Sequence, residues 1–160
     1  MSTALGQLLP QRIDNVYRGH PLAPWILMPI VAMKTAIALG TILNGRTVAQ
    51  TADGVPLDTF GAEGAQAVVA LFGLWGLSQL LFGMLGVMAL TRYRAMIPAL
   101  FLLLLLEHLG RRLILMVHPI AKTGTPFNFY INLVFLVLMI IGLILSLQRR
   151  AEPASHRDGS

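Results

Sequence analysis

Residues 97–117 read IPALFLLLLLEHLGRRLILMV, an apolar run that carries four ionisable side chains within six positions. These side chains are Glu107, His108, Arg111 and Arg112. The run is long enough for a helix to cross the hydrocarbon core of a bilayer, where a single charge costs from about 2.5 to more than 10 kcal/mol. Charged groups are tolerated there only when they face protein or a wet cavity and compensate one another. The run therefore predicts an interior-facing polar site within a membrane domain.

The composition of the whole chain supports a membrane protein. Of its 160 residues, 56% are hydrophobic and 12% are charged, whereas ordinary soluble domains carry roughly 25% charged residues. The length fits one domain. The formal net charge of +5 is not arranged as a basic face interleaved with aromatic residues, so we expect no nucleic-acid partner. The chain has no cysteine, which excludes disulfides, thiolate catalysis and cysteine-ligated metals.

Four apolar blocks, each close to the length of about 20 residues that a spanning helix needs, predict four transmembrane helices. We place the spans at about 22–43, 65–90, 95–118 and 127–147. Because a backbone in lipid must satisfy its own hydrogen bonds, each span is expected to be α-helical. The predicted fold class is therefore all-α, an integral membrane antiparallel four-helix bundle with short loops, formed by residues 22–147.

The basic residues near the span ends predict the orientation of the bundle. Seven fall on one side and two on the other: Arg12, Arg18, Arg92, Arg94, Arg149, Arg150 and Arg157 against Arg46 and Lys122. The positive-inside rule makes the richer side cytoplasmic, so we expect a multi-pass inner-membrane protein with both termini in the cytoplasm. Residues 1–21 are expected to form either an interfacial amphipathic helix or a frayed tail, and residues 148–160 a disordered tail.

Depth along the spans predicts which polar residues meet. Lys34, Gln79 and Glu107 each lie about midway along a different span. A Lys–Glu pair keeps two opposite charges inside a bundle at the lowest cost, because their attraction offsets part of the desolvation. We therefore expect Lys34 and Glu107 to lie close together, with Gln79 between them.

A polar stripe continues over the outer half of the third span. Arg111 lies one turn beyond Glu107, and this i,i+4 spacing allows a direct pair. His108 and Arg112 form a second i,i+4 couple on a neighbouring face of the helix. Asn132 of the fourth span is placed to point into the same half. The charges of Lys34, Glu107, Arg111 and Arg112 sum to +2 (three positive and one negative). This excess of positive charge calls for an anionic or strongly hydrogen-bonding partner. The candidate ligand-binding residues are Lys34, Gln79, Glu107, His108, Arg111, Arg112 and Asn132.

Plainer roles for the same residues stay open. The two arginines can snorkel towards the outer headgroups, the Lys–Glu pair can be purely structural, and His108 can be an ordinary hydrogen-bonded interior group. Neither haem nor a metal ion is expected. His108 has no histidine partner midway along another span, and Glu107, His108 and His118 all lie on one helix without a metal-binding spacing.

Five short motifs follow one another in the middle of the chain. They are GVPL at 54–57, FGAE at 60–63, LFGLWG at 71–76, RYR at 92–94 and GRR at 110–112. Together they cover about half of the chain and resemble small four-helix bacterial membrane proteins of the DoxX-like type. The resemblance implies a four-helix membrane fold. Because some members of that family are associated with quinone-linked respiratory oxidation, it also implies, by analogy alone, a quinone as ligand.

The function that these patterns favour is the binding of a small amphipathic or anionic molecule, such as a quinone or a lipid, by a subunit of a larger membrane system. Three alternatives stay open. They are a proton-coupled transporter or relay using Glu107 and His108, an intramembrane enzyme using the same two residues as acid and base, and a structural or assembly protein without a ligand. Membrane lipids, the ligand, and either a second copy or a partner subunit are the expected partners.

Overall fold

A computed structural model of the chain is all-α, with its long helices packed antiparallel. It describes Leu8, residues 14–120 and residues 126–148, except for the side chains of 126–128. The helices are α1 (Leu22–Leu43), α2 (Gly45–Thr51), α3 (Ala62–Thr91), α4 (Ile97–Val117) and α5 (Pro126–Leu147). Single 3₁₀ turns at Leu57–Thr59 and Arg94–Met96 lead into α3 and α4. Helix α1 packs most extensively against α3, and α4 packs mainly against α5.

The predicted helices are confirmed, and three of them are long and apolar enough to cross a membrane: α1, α3 and the part of α5 from Phe129 onwards. Helix α4 is not one of the three, and it is the helix that carries Glu107, Arg111 and Arg112. Four spans therefore stay a prediction. The bounds of α1 agree with the predicted first span, whereas those of the other three differ by one to three residues at one or both ends.

The connection between α1 and α3 is folded and contains helical structure of its own. It contains α2 and a 3₁₀ turn, and Gly54 adopts a φ of 66° between them, a conformation that favours glycine. Ala49, Val55 and Leu57 are buried together against α3. Burial of these three apolar side chains gives the connection a small core of its own.

Small residues bring α1 and α3 into close contact. A Cβ built on Gly76 would lie 3.1 Å from the carbonyl oxygen of Ala38, and one built on Gly86 would collide with the side chain of Val31. In lipid, such glycines allow two helix backbones to approach closely. The close approach places polar side chains of α1 and α3 within hydrogen-bonding reach.

The largest core cluster joins four helices, and the outside of the bundle is also apolar. Leu27, Phe101, Leu104 and Met139 are fully or almost fully buried in that cluster. Large apolar side chains are exposed along every long helix, among them Leu39, Leu74, Leu113 and Ile144. Soluble monomers rarely expose large contiguous apolar patches, and three of these helices are long and apolar enough to cross a membrane.

Residues 14–20 run irregularly across one end of the bundle. The backbone N–H of His20 donates to the carbonyl of Leu145 (3.1 Å), and that of Ala95 donates to the carbonyl of Asp14 (3.3 Å). These bonds tie the segment to the end of α5 and to the 3₁₀ turn that precedes α4. Most of the predicted interfacial helix and of the disordered tail lies outside the described residues.

Candidate functional site

Three polar side chains from three helices form a closed ring of hydrogen bonds near the middle of the bundle. The Lys34 ammonium on α1 donates to Gln79 Oε1 (2.7 Å) and to Glu107 Oε2 (2.8 Å). The Gln79 amide on α3 donates to the other carboxylate oxygen of Glu107 on α4 (2.9 Å). We call Lys34, Gln79 and Glu107 the triad. Both carboxylate oxygens and the amide are used within it.

The sequence around each member explains why the triad forms. Lys34 continues the face of α1 that buries Ile30 and Val31, so its ammonium is directed into the bundle. Gln79 lies between Gly76 and Gly83 on the buried face of α3. Lys34 is 8% exposed and Gln79 5%, which leaves water little access to either. Removing one partner from a buried ion pair costs about 3–5 kcal/mol, because an uncompensated charge stays behind.

The two arginines of α4 have a different environment. The Arg111 guanidinium carbon lies 5.2 Å from the ring centroid of Trp75 on α3, and an Nη2 donates to Asn132 Oδ1 on α5 at 3.4 Å. The Arg112 guanidinium carbon lies 5.9 Å from the ring centroid of Phe129. Among residues 14–120 and 126–148, no carboxylate forms an ion pair with either arginine. We call Arg111 and Arg112 the arginine pair.

His108 lies on the buried face of α4 and is 2% exposed. It continues the line of Phe101 and Leu104, which belong to the main core. Its Nε2 has no hydrogen-bond partner among the described residues. Glu107 is turned towards α1 and α3 instead. His108 and Glu107 are therefore adjacent in sequence but pack in different helix interfaces.

The predicted contact between Lys34 and Glu107, with Gln79 bridging them, is confirmed. Asn132 accepts a hydrogen bond from Arg111, in the half of α4 where the sequence placed it. The i,i+4 spacing of Glu107 and Arg111 led to no ion pair, since the carboxylate bonds to the triad and Arg111 turns to Trp75 and Asn132. The ligand-binding role of all seven candidate residues stays a prediction.

Two aromatic partners of the arginine pair were missed by sequence reasoning. Trp75 precedes Gln79 by one turn of α3, which places the indole on the face that meets α4. That spacing was a usable signal. Phe129 carried no comparable signal, because its approach to Arg112 depends on how α5 is rotated.

The described residues contain no group of three or more His, Cys, Asp or Glu side chains that could hold a metal ion. No family model, no curated protein and no solved structure gives a significant match to the chain. The resemblance to DoxX-like proteins therefore has no support from these comparisons.

Proposed function

We propose that residues 22–147 form a four-span membrane domain whose arginine pair binds a small anionic or amphipathic molecule of quinone or lipid type. One observation carries the proposal. Lys34 and Glu107 compensate each other within the triad, so Arg111 and Arg112 are left with two positive charges and no described carboxylate partner. At this depth such charges favour an anionic or strongly hydrogen-bonding ligand.

The membrane placement rests on the three apolar helices and on the shelter given to the charges of α4. Glu107 is held in the triad, Arg111 contacts Trp75 and Asn132, and Arg112 lies over Phe129. With these contacts α4 has the protein-facing polar groups that a fourth span requires. The end of the bundle that carries Arg18, Arg92 and Arg94, which we call the basic end, would face the cytoplasm.

Arginine suits this role because its planar guanidinium presents five N–H donors and can bind two acceptor oxygens at once. Arg111 uses one donor on the long bond to Asn132, and Trp75 covers one face of the group. The remaining donors can bind a carboxylate, a phosphate or a quinone carbonyl. The apolar part of the ligand would lie along the exposed Leu113 and Ile114 of α4.

Native mass spectrometry of the protein extracted from membranes tests the proposal. We expect wild type to retain a lipid or quinone, and the double substitution Arg111→Leu with Arg112→Leu to lower its occupancy about tenfold or more, because hydrogen bonds to charged groups are lost. Arg46→Leu is the matched control. Arg46 lies near the same end of the bundle, but it is exposed and pairs with Asp58 at 3.6 Å, so occupancy should not change. Unchanged occupancy in the double variant would contradict the proposal.

A purely structural protein is the second candidate, and the closure of the triad favours it. A ring in which every member bonds the other two can fix the relative register of α1, α3 and α4 without any ligand. Under this alternative, wild type would retain no specific molecule, and substitutions in the arginine pair would change neither stability nor assembly. The proton-relay alternative predicts proton flux in liposomes that Glu107→Gln abolishes.

A further inference from the structure

A cleft of about 440 Å³ opens at the end of the bundle opposite the arginine pair. It lies between the irregular segment before α1, the first turns of α1 and the end of α3. Its volume is in the range of small-molecule sites, about 300–1,000 Å³. Tyr17, Trp25, Met28, Leu90 and Arg94 are among the lining residues, and they divide into a polar part and an apolar part.

The hydroxyl of Tyr17 is a buried hydrogen-bonding group at this cleft. Its oxygen has no hydrogen-bond partner in the part of the chain that the structure describes. Tyr17 and the nearby Gly19 both line the cleft, and a Cβ built on Gly19 would lie 2.5 Å from this oxygen, so the hydroxyl lies beside the backbone that lines the cleft. Burial raises the pKa of Tyr17, which keeps the hydroxyl protonated and able to donate.

Arg94 supplies a positive charge at the rim. Its side chain is exposed, and its one hydrogen bond to the described part of the chain runs from Nε to the carbonyl of Leu90 at 3.3 Å. The two terminal nitrogens of the guanidinium are available for an anion. Arg18 is differently placed, because it is bonded to Asp14 at 3.0 Å. Among the described residues that line the cleft, Arg94 is also the one that carries a charge.

The rest of the cleft is apolar and faces outwards from the bundle. Trp25 is 69% exposed and Met28 is 49% exposed. Both lie in the first part of α1, where a spanning helix meets the membrane interface and tryptophan is enriched. The cleft thus has a charged rim, a buried donor and an apolar wall that opens where acyl chains would be.

We propose that this cleft binds an anionic phospholipid of the leaflet at the basic end of the bundle. The phosphate would bind the guanidinium of Arg94, a glycerol or ester oxygen would accept from the hydroxyl of Tyr17, and an acyl chain would lie along Trp25 and Met28. The assignment rests on the membrane placement of the proposed function but not on the arginine pair.

Photo-crosslinking in phosphatidylcholine vesicles tests the assignment. A phosphatidylglycerol probe with a diazirine near its headgroup is expected to label peptides that contain Trp25 or Leu90, whereas the matching phosphatidylcholine probe labels them weakly. Arg94→Gln should lower the labelling by phosphatidylglycerol about fivefold, the value of one basic residue near an anionic surface. Tyr17→Phe should lower it about threefold through the lost hydrogen bond.

Matched variants keep the test decisive. Arg92→Gln removes an exposed charge two residues away that does not line the cleft, and it should leave the labelling unchanged. Arg94→Lys keeps the charge and should retain most of it, which excludes a folding defect at this position. Equal labelling by both probes, equal loss in Arg92→Gln and Arg94→Gln, or no loss in Arg94→Gln would overturn the assignment.

Two further arms distinguish a bound phospholipid from a soluble ligand and from a protein that lies outside the membrane. Soluble glycerol phosphate should not compete with the probe, and full competition would overturn the lipid in favour of a soluble phosphate ester. Flotation of the wild-type vesicles is measured first. A protein that does not float with the vesicles contradicts the membrane placement itself, whereas one that floats without labelling contradicts only the cleft.

Discussion

The triad and the arginine pair both place charged side chains within an apolar bundle, and their members on α4 lie within about one turn of each other. The two groups stabilise these charges in different ways. In the triad a positive and a negative side chain from two helices neutralise each other, and the Gln79 amide fills the remaining positions. In the arginine pair two like charges are held by aromatic faces and one amide oxygen.

The difference separates a structural device from a binding device. In the closed ring the opposite charges of Lys34 and Glu107 already compensate each other, so the ring presents no uncompensated charge to a ligand, and losing one partner leaves a bare charge inside the bundle. A cation against an aromatic face keeps its N–H edge available for an anion. We therefore expect changes in the triad to affect mainly stability, and changes in the arginine pair to affect mainly ligand retention.

Lys34→Met should have the largest effect. It leaves the carboxylate of Glu107 buried without its ammonium partner, and the free energy of unfolding should fall by about 3–5 kcal/mol. Unfolding in mixed micelles measures the change. Arg46→Met breaks the exposed pair with Asp58 (3.6 Å) and should cost about 0–1 kcal/mol. Equal costs for the two variants would show that the triad is not a buried pair.

Gly76→Ala should have the next largest effect, because it tests the helix approach on which the triad depends. The new Cβ would lie 3.1 Å from the backbone oxygen of Ala38, and such overpacking costs about 1–3 kcal/mol. Gly73→Ala is the control one turn away, where nothing lies within 4 Å of the new atom. It should be neutral or stabilise the helix by up to about 1 kcal/mol. Equal changes in the free energy of unfolding for Gly76→Ala and Gly73→Ala would contradict the close approach of α1 and α3 at Gly76.

Trp75→Leu should affect Arg111 more weakly. A cation over an aromatic face contributes about 0.5–2 kcal/mol, and the double-mutant cycle of Trp75→Leu with Arg111→Leu should recover a coupling of that size. Ligand occupancy should fall with the indole, since the guanidinium loses the surface that orients it. Additive effects in the cycle would mean that the two groups do not interact.

The exposed pair of Asp14 and Arg18 should give the smallest effect, and it sharpens the contrast with the buried pair. The hydrogen bond from Arg18 lowers the pKa of Asp14 below its usual 3.8. Because the folded-state pKa is depressed, any stability from this pair is present above pH 3.8 and is lost as the pH falls through the lower value. Salt should weaken it. An NMR titration of Asp14 that gives a pKa above 3.8 would contradict the hydrogen bond.

The triad could be predicted from sequence because burial leaves a charged side chain few choices. Depth along each span fixed which residues were level with one another, and the cost of a bare charge selected Lys34 with Glu107. The same cost explains why Glu107 did not pair with Arg111. The ammonium of Lys34 is buried away from water and needs the carboxylate.

The surroundings of the arginine pair and the cleft could not be predicted in the same way. Which aromatic face covers Arg112 depends on the rotation of α5 about its axis, and sequence depth does not determine it. The cleft depends on the irregular segment before α1, which is held by backbone bonds such as His20 to Leu145. Such bonds leave no residue pattern, so the sequence carries no signal that brings Tyr17 and Arg94 together.

A double-mutant cycle of Lys34→Met with Glu107→Leu tests the central claim, that these two residues compensate each other inside the bundle, most directly. Each single substitution should lower the free energy of unfolding by about 3–5 kcal/mol, and the double variant should cost less than either one, because it leaves no bare charge behind. Costs that simply add would contradict the account, since they would show that the ammonium and the carboxylate do not meet.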